Sequence, residues 1–254
     1  MNMLANLTTS DDIAPETDRV AGRQLLDSGV YAAKIKMAYL QKSKGGALGM
    51  TIVFDLEGGK ELSTTQYLTG GDKKGNLNYY TDKQGNKQYL PGFNLANSLA
   101  MLTTGKEISK LGQEERLVNI YDFEAKAEKP TAVPVVTDLI GEEINVGVLR
   151  VLEDKMAKDD AGNYTVYTGE TRESNEVDKF FCAKSKFLNM TTAEIRAKAE
   201  KAVYVDTWKK QNEGQVRDKT NKDASKQGGA AGAPKAAGAA AAGGTAKPDE
   251  SLFD

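Results

Sequence analysis

The sequence predicts a mainly β protein, a small Greek-key barrel or sandwich of about five to seven short strands with a helix inserted and a second helix near the end. Three observations carry this. Turn residues recur at Gly45-Gly46, Gly58-Gly59, Gly70-Gly71, Gly85-Asn86 and Gly162-Asn163. Most of these turns separate runs in which apolar and polar residues alternate, the mark of half-buried antiparallel strands. A stretch with helical spacing then interrupts the pattern at Phe93.

In chain order, Val30 to Leu40 places Tyr31, Ala33, Ile35 and Met37 on one face and Lys34 and Lys36 on the other. In Thr51 to Leu56, Ile52, Phe54 and Leu56 share one face and alternate with Thr51 and Asp55. Glu61 to Leu68 pairs back across Gly58-Gly59; with Leu62 and Leu68 inward, Tyr67 points outward beside Ser63 and Thr65. A long glycine-bearing hairpin follows, carrying Lys73, Lys74, Tyr79, Tyr80, Lys87 and Tyr89. Phe93, Leu95, Ala96, Leu99 and Leu102 then fall on helical spacing up to Thr103, and Gly105 closes the helix. Further strands are expected at Leu117 to Phe123, Ile144 to Leu152, Tyr164 to Tyr167 and Val177 to Ala183. Thr191-Thr-Ala-Glu194 has capping-box spacing and opens a helix to about Ala202, extendable to Trp208.

The tail is of another kind. From Gly228 to Ala246, sixteen of nineteen residues are Ala or Gly, so this stretch has no large side chains with which to offset the entropy of ordering. Three units are therefore expected: a folded domain at 1–212, a disordered Ala/Gly-rich linker at 213–247 and an acidic tip at 248–254 with Asp249, Glu250, Leu252, Phe253 and Asp254. The tip's carboxylates mimic phosphate, and Leu252 and Phe253 offer the apolar anchor that a protein pocket takes.

Composition limits the chemistry. The 254 residues, 39% hydrophobic, suffice for one ordinary core and a small addition. There is no histidine and the one cysteine is Cys182, which removes imidazole triads, His-ligated metals, cysteine clusters and intramolecular disulfides. A single cysteine suits a reducing compartment. No apolar run approaches the roughly 18 to 20 residues of a spanning helix, and the first residues lack a signal pattern, so a soluble, non-secreted protein without a membrane partner is expected. Phosphate-binding and nucleophile-elbow motifs are missing. Gly70-Gly-Asp-Lys-Lys-Gly75 reads as a phosphate cradle or, better, as a hairpin turn. The acidic pairs Glu142-Glu143, Glu153-Asp154 and Asp159-Asp160 read as magnesium ligands or, better, as solvated surface, because neighbouring strand residues face opposite ways. No cofactor and no catalytic residue is expected.

The net charge is -2, but its distribution is uneven. Residues 1–22 carry -3, 23–106 carry +5, 107–208 carry -6 and 209–254 carry +2. The basic segment also holds eight of the eighteen aromatics. Tyr31, Phe54 and Phe93 read as inward and structural, whereas Lys34, Lys36, Tyr67, Lys73, Lys74, Tyr79, Tyr80, Lys87 and Tyr89 read as outward. Lysines neutralise phosphates and rings stack on bases of any sequence, the pattern that suits single-stranded nucleic acid. The competing reading is an adaptor whose basic surface meets an acidic protein instead of DNA.

The order of pieces, and the stretches Tyr31-Ala-Ala-Lys-Ile-Lys36, Leu90-Pro-Gly-Phe93, Leu102-Thr-Thr-Gly105, Val133-Pro-Val-Val-Thr-Asp-Leu-Ile-Gly141 and Gly169-Glu-Thr-Arg172, resemble the single-stranded DNA-binding proteins of tailed bacteriophages. The likeness covers most of residues 1–210. It implies an OB-fold-like five-stranded Greek-key barrel, non-enzymatic and sequence-nonspecific coating of single strands in phage replication, recombination and repair, and a location in the cytoplasm of the infected host bacterium. It further implies that the tip contacts replication proteins such as a DNA polymerase or helicase, with Asp249 and Glu250 matching the family's acidic residues and Phe253 its aromatic end. Asp254 departs from the pattern by following that phenylalanine, and the acidic stretch is short.

Overall fold

The computed structural model describes residues 25–122, 125–160 and 164–221. The last residue of the strand expected to end at Phe123, the turn at Gly162-Asn163, most of the linker and the whole 248–254 tip lie outside these residues.

The described chain is mainly β. Strands β1 (Gly29–Lys42), β2 (Leu48–Leu56) and β3 (Glu61–Tyr67) form an antiparallel meander. The alternation holds: Ile52, Phe54, Leu56 and Leu62 are buried, while Asp55, Ser63 and Tyr67 are exposed. Met37 is the exception. A bulge between Ile35 and Met37 shifts the phase of β1, so Ala38 is fully buried and Met37 only partly. One extra residue on one strand inverts every later side chain, and periodicity alone does not announce it.

Strands β4 (Tyr79–Thr81) and β5 (Lys87–Tyr89) form a small separate ribbon. Helix α1 (Pro91–Thr104) occupies the expected place and ends at Gly105, whose φ of 80° lets its N–H reach the Met101 carbonyl. Strands β6 (Gln113–Asp122) and β7 (Ala127–Val136) make a long hairpin. The sequence reading has no counterpart for β7, because Pro130 and Pro134 interrupt it. Strands β8 (Glu143–Lys158) and β9 (Tyr164–Cys182) form a longer hairpin. The two short strands expected at Tyr164 to Tyr167 and Val177 to Ala183 are thus one. Its first ten residues are exposed on both faces and show no apolar alternation.

The sheet path runs β3, β2, β1, β8, β9. No β3–β9 ladder forms among the described residues, so the sheet is open where a five-stranded barrel would close. Helix α1 lies against both β3 and β9, covering that gap. The core beneath it gathers Ile35, Met50, Ile52, Phe54, Leu99, Leu102, Ile144, Val146 and Phe180, with the Phe54 and Phe180 ring centroids 5.8 Å apart.

The C-terminal helix is divided into α2 (Thr192–Arg196) and α3 (Tyr204–Asn212). The capping box at Thr191 and Glu194 is present as expected. The Glu194 carboxylate also accepts the N–H groups of Val203 and Tyr204, at 2.7 and 2.8 Å, so one side chain ties both helices together. On the face of the sheet away from the main core, α3 packs Val205 and Trp208 against Leu149 and Phe181. A Cβ on Gly147 would sit 3.2 Å from the Trp208 ring, so a bare backbone there makes room for the indole, whose Nε1 donates to Asp178 at 2.7 Å.

Residues 213–221, placed in the linker by composition, run back onto the sheet. Gly214 donates to the Ser28 carbonyl, and β10 (Val216–Asp218) pairs in parallel with Arg150 to Leu152 of β8. Lys219 and Asn221 donate to Leu152 and Asp154. The three-residue strand has no apolar pattern to reveal it; backbone hydrogen bonds hold it.

Candidate nucleic-acid interface

The nine lysines and tyrosines expected to face outward separate into two groups. Lys34 lies opposite Asp55 on one neighbour and Glu143 on the other. Lys36 donates to Glu61 at 2.6 Å with Asp55 at 3.8 Å, and those carboxylates hold its ammonium above the ordinary lysine range. Both lysines are exposed, but this end of the sheet is electrostatically balanced or acidic. Tyr67 pairs with Gly49, six residues along β2 from Asp55, which is about 20 Å at roughly 3.3 Å per residue. The strands therefore hold Lys34 and Lys36 away from the other seven.

Those seven gather at the opposite end. The β1–β2 turn docks on the segment after β3: Asp72 donates its N–H to the Gly45 carbonyl at 2.9 Å, and Leu48 donates to the Thr69 hydroxyl at 2.9 Å. Gly71, at φ 81°, faces the Gly45 carbonyl so closely that a Cβ would lie 2.6 Å from it. This contact sets Lys42 and Lys44 beside a 3-10 turn holding Lys73 and Lys74. The β4–β5 ribbon adds Lys83 and Lys87. No ion pair joins any of these six lysines to a carboxylate among the described residues. The two nearby aspartates are engaged in their own turns. Asp72 accepts from the Asn76 amide at 2.6 Å. Asp82 accepts the N–H groups of Asn86 and Gln84, which hold its carboxyl below the usual range.

The rings belong to the same end. Tyr79 lies opposite Tyr89 across the ribbon, Lys87 Nζ sits 4.9 Å from the Tyr79 centroid, and Tyr89 stacks on Phe93 at 5.0 Å with a 31° tilt. Phe93, expected in the core, is only half-buried and extends this ladder from the first turn of α1. Tyr67 joins through the backbone: a Cβ on Gly92 would lie 2.3 Å from the Tyr67 carbonyl oxygen, so the start of α1 rests directly on the end of β3. The Tyr67 ring itself lies over Gly49, where a side chain would meet it. Tyr67, Tyr80 and Tyr89 are 53%, 48% and 56% exposed, leaving ring surface for a stacking partner. Tyr80 is adjacent to Tyr79 in a strand and so faces the other side of the ribbon. Four groups are added to the expected set here: Lys42, Lys44, Lys83 and Phe93.

Elsewhere, Lys158 sits 5.3 Å over the exposed Tyr164, but Asp159 and Asp160 follow it directly and cancel its field. Glu153, from one of the acidic pairs, is engaged by Arg172 at 3.0 Å. No group of three potential metal ligands occurs among the described residues. Cys182 is buried in the main core, and burial pushes its thiol pKa up.

No protein-family model matches the chain. No curated protein matches it either.

Proposed function

We propose that the chain is a non-enzymatic, sequence-tolerant single-stranded DNA-binding protein. The observation that carries the reading is the cluster of six lysines that have no carboxylate partner among the described residues, set around the Tyr79, Tyr89 and Phe93 ladder and Tyr67. Lysines not held by carboxylates gain on meeting phosphates, because condensed counterions are released. Rings with free faces gain on meeting unstacked bases, which duplex DNA does not offer. Paired bases are stacked inside their helix, so a site made of rings favours single strands.

The strand path supports a finer fold reading. A path β3-β2-β1-β8-β9 with a helix between β3 and the later strands is the order of an OB barrel left open between its third and last strands, and such barrels are partly open Greek keys that bind oligonucleotides on one face. The resemblance to phage proteins adds the setting: replication, recombination and repair in the infected bacterial cytoplasm, with Asp249, Glu250, Leu252, Phe253 and Asp254 as the hook for a polymerase or helicase.

Fluorescence titration of a labelled oligo-dT tests the reading. Lys73→Gln, Lys74→Gln and Lys87→Gln combined are expected to weaken binding at least tenfold, whereas Lys34→Gln with Lys36→Gln changes it less than twofold. Wild-type protein that leaves oligo-dT unbound but captures an acidic protein would transfer the lysine cluster to the adaptor reading.

A further inference from the structure

The β6–β7 hairpin projects from the sheet, and among the described residues its ladder joins the sheet only where Val135 meets Tyr39 of β1. Its two edges differ. Proline has no N–H, so Pro130 and Pro134 fit the ladder only where β7 directs its backbone groups away from β6. These prolines blunt the outer edge of β7, a common defence against stray strand pairing. Their partners in register are Asn119 and Glu115, so those residues, with Leu117 and Tyr121, direct their own N–H and C=O groups outward from β6. That edge has no proline and no bulge. It pairs with no strand other than β7 among the described residues. It also carries Leu117 at 75% and Tyr121 at 50% exposure. Such a long, regular edge is a template for another strand.

We propose that β6 pairs with β6 of a second copy of this chain, antiparallel, about a two-fold axis through Asn119. Three constraints lead there. Only odd-numbered residues offer outward groups, so paired residue numbers must differ by an even amount, and a two-fold axis passes through a residue. With the axis at Asn119, Leu117 meets Tyr121 of the second copy on one face, Val118 meets Ile120 on the other, and Arg116 meets Asp122. With the axis moved to Val118, Glu114 would face Asp122, two like charges. With the axis at Ile120, Val118 would face Asp122. Of these three registers, charge and apolar matching favour the axis at Asn119, which alone sets Arg116 against Asp122. Within the single chain Arg116 is paired with Glu114 at 2.6 Å, and the half-buried Asp122 pairs with Lys129 at 2.8 Å while its Oδ1 accepts the Ala125 N–H at 3.1 Å; ion pairs with an exposed lysine or arginine exchange partners at little cost. This self-association is independent of the DNA-binding reading, because β6 contributes none of the lysines or rings of that site.

Light scattering coupled to size-exclusion chromatography on the full chain tests it. The expected mass at tens of micromolar is twice the 27.4 kDa of one chain. Asn119→Pro removes only an outward N–H, so it is expected to halve the mass with unchanged circular dichroism. Arg116→Asp is expected to give single chains by setting two acids face to face at both ends, and so is Asp122→Arg by setting two bases there. The double variant restores the pairing. A wild-type chain that elutes with the mass of one copy, an Asn119→Pro protein that still dimerises, or a double variant that stays monomeric while folded would overturn the proposal.

Discussion

At the scale of single residues, the proposed function places the burden of binding on rings and lysines without ion-pair partners among the described residues. Tyr79→Ala and Tyr89→Ala are expected to cost roughly 1–3 kcal/mol of single-strand affinity each where the ring stacks on a base, with little change in melting temperature. Tyr80→Ala is expected to cost less, because its ring faces the opposite side of the ribbon from the Tyr79, Tyr89 and Phe93 ladder. Phe54→Ala is expected to reverse the pattern, costing about 3–5 kcal/mol of stability measured by denaturant unfolding, since Phe54 is fully buried against Phe180. Equal melting losses for Tyr89→Ala and Phe54→Ala would contradict this division. The outward direction of Tyr67 was legible because strand alternation fixes facing. The neutralisation of Lys36 was not, because it depends on Asp55 and Glu61, which only the register of three strands brings near.

At the scale of elements, the capping box at Thr191 was legible in four consecutive residues, yet the division of its helix was not. The Glu194 side chain meets Val203 and Tyr204 only because the chain turns sharply near Lys198, at φ 52°. Glu194→Ala removes a cap and the tie between two helices, an expected loss of about 1–2 kcal/mol. Burial raises the Glu194 pKa, but hydrogen bonds from the Thr191, Tyr204 and Val203 backbone and from the Thr191 hydroxyl outweigh it, leaving the carboxyl below its ordinary value of 4.5. A depressed folded-state pKa means that the contribution is complete above the unfolded value and is lost as pH falls through the folded one. The melting-temperature gap between wild type and Glu194→Gln is therefore expected to be constant near neutrality and to shrink below pH 4.5. A gap that widens on acidification would contradict the tie. Strands β7 and β10 illustrate the opposite case to the capping box. Prolines mask the first, which is defined by its ladder with β6, and brevity masks the second, which is defined by Arg150 to Leu152 of β8, far back in the sequence.

At the scale of the whole molecule, the open sheet, the helix across its gap and the basic end form one arrangement: α1 covers the gap and delivers Phe93 to the ring ladder, while two docked turns gather lysines from separate parts of the chain. The excess of positive charge in residues 23–106 was legible in the sequence; its concentration at one end was not, because the contact between Asp72 and Gly45 that creates it leaves no local signature. Removing residues 248–254 is expected to leave single-strand affinity unchanged or slightly higher at low salt, since on the proposed function an acidic tip would compete with phosphate for these lysines. A filter assay showing the truncated chain binding several-fold more weakly would place the tip in the DNA site instead. The most direct measurement of the central claim is the affinity for oligo-dT and for a matched duplex across a range of salt concentrations. Each phosphate neutralised on a single strand contributes a log-log slope of roughly -0.7, so the six lysines set a bound near -4, and the account predicts an observed slope between about -2 and -4 with single strands preferred over duplex. An affinity that does not change with salt, or a preference for duplex, would contradict it.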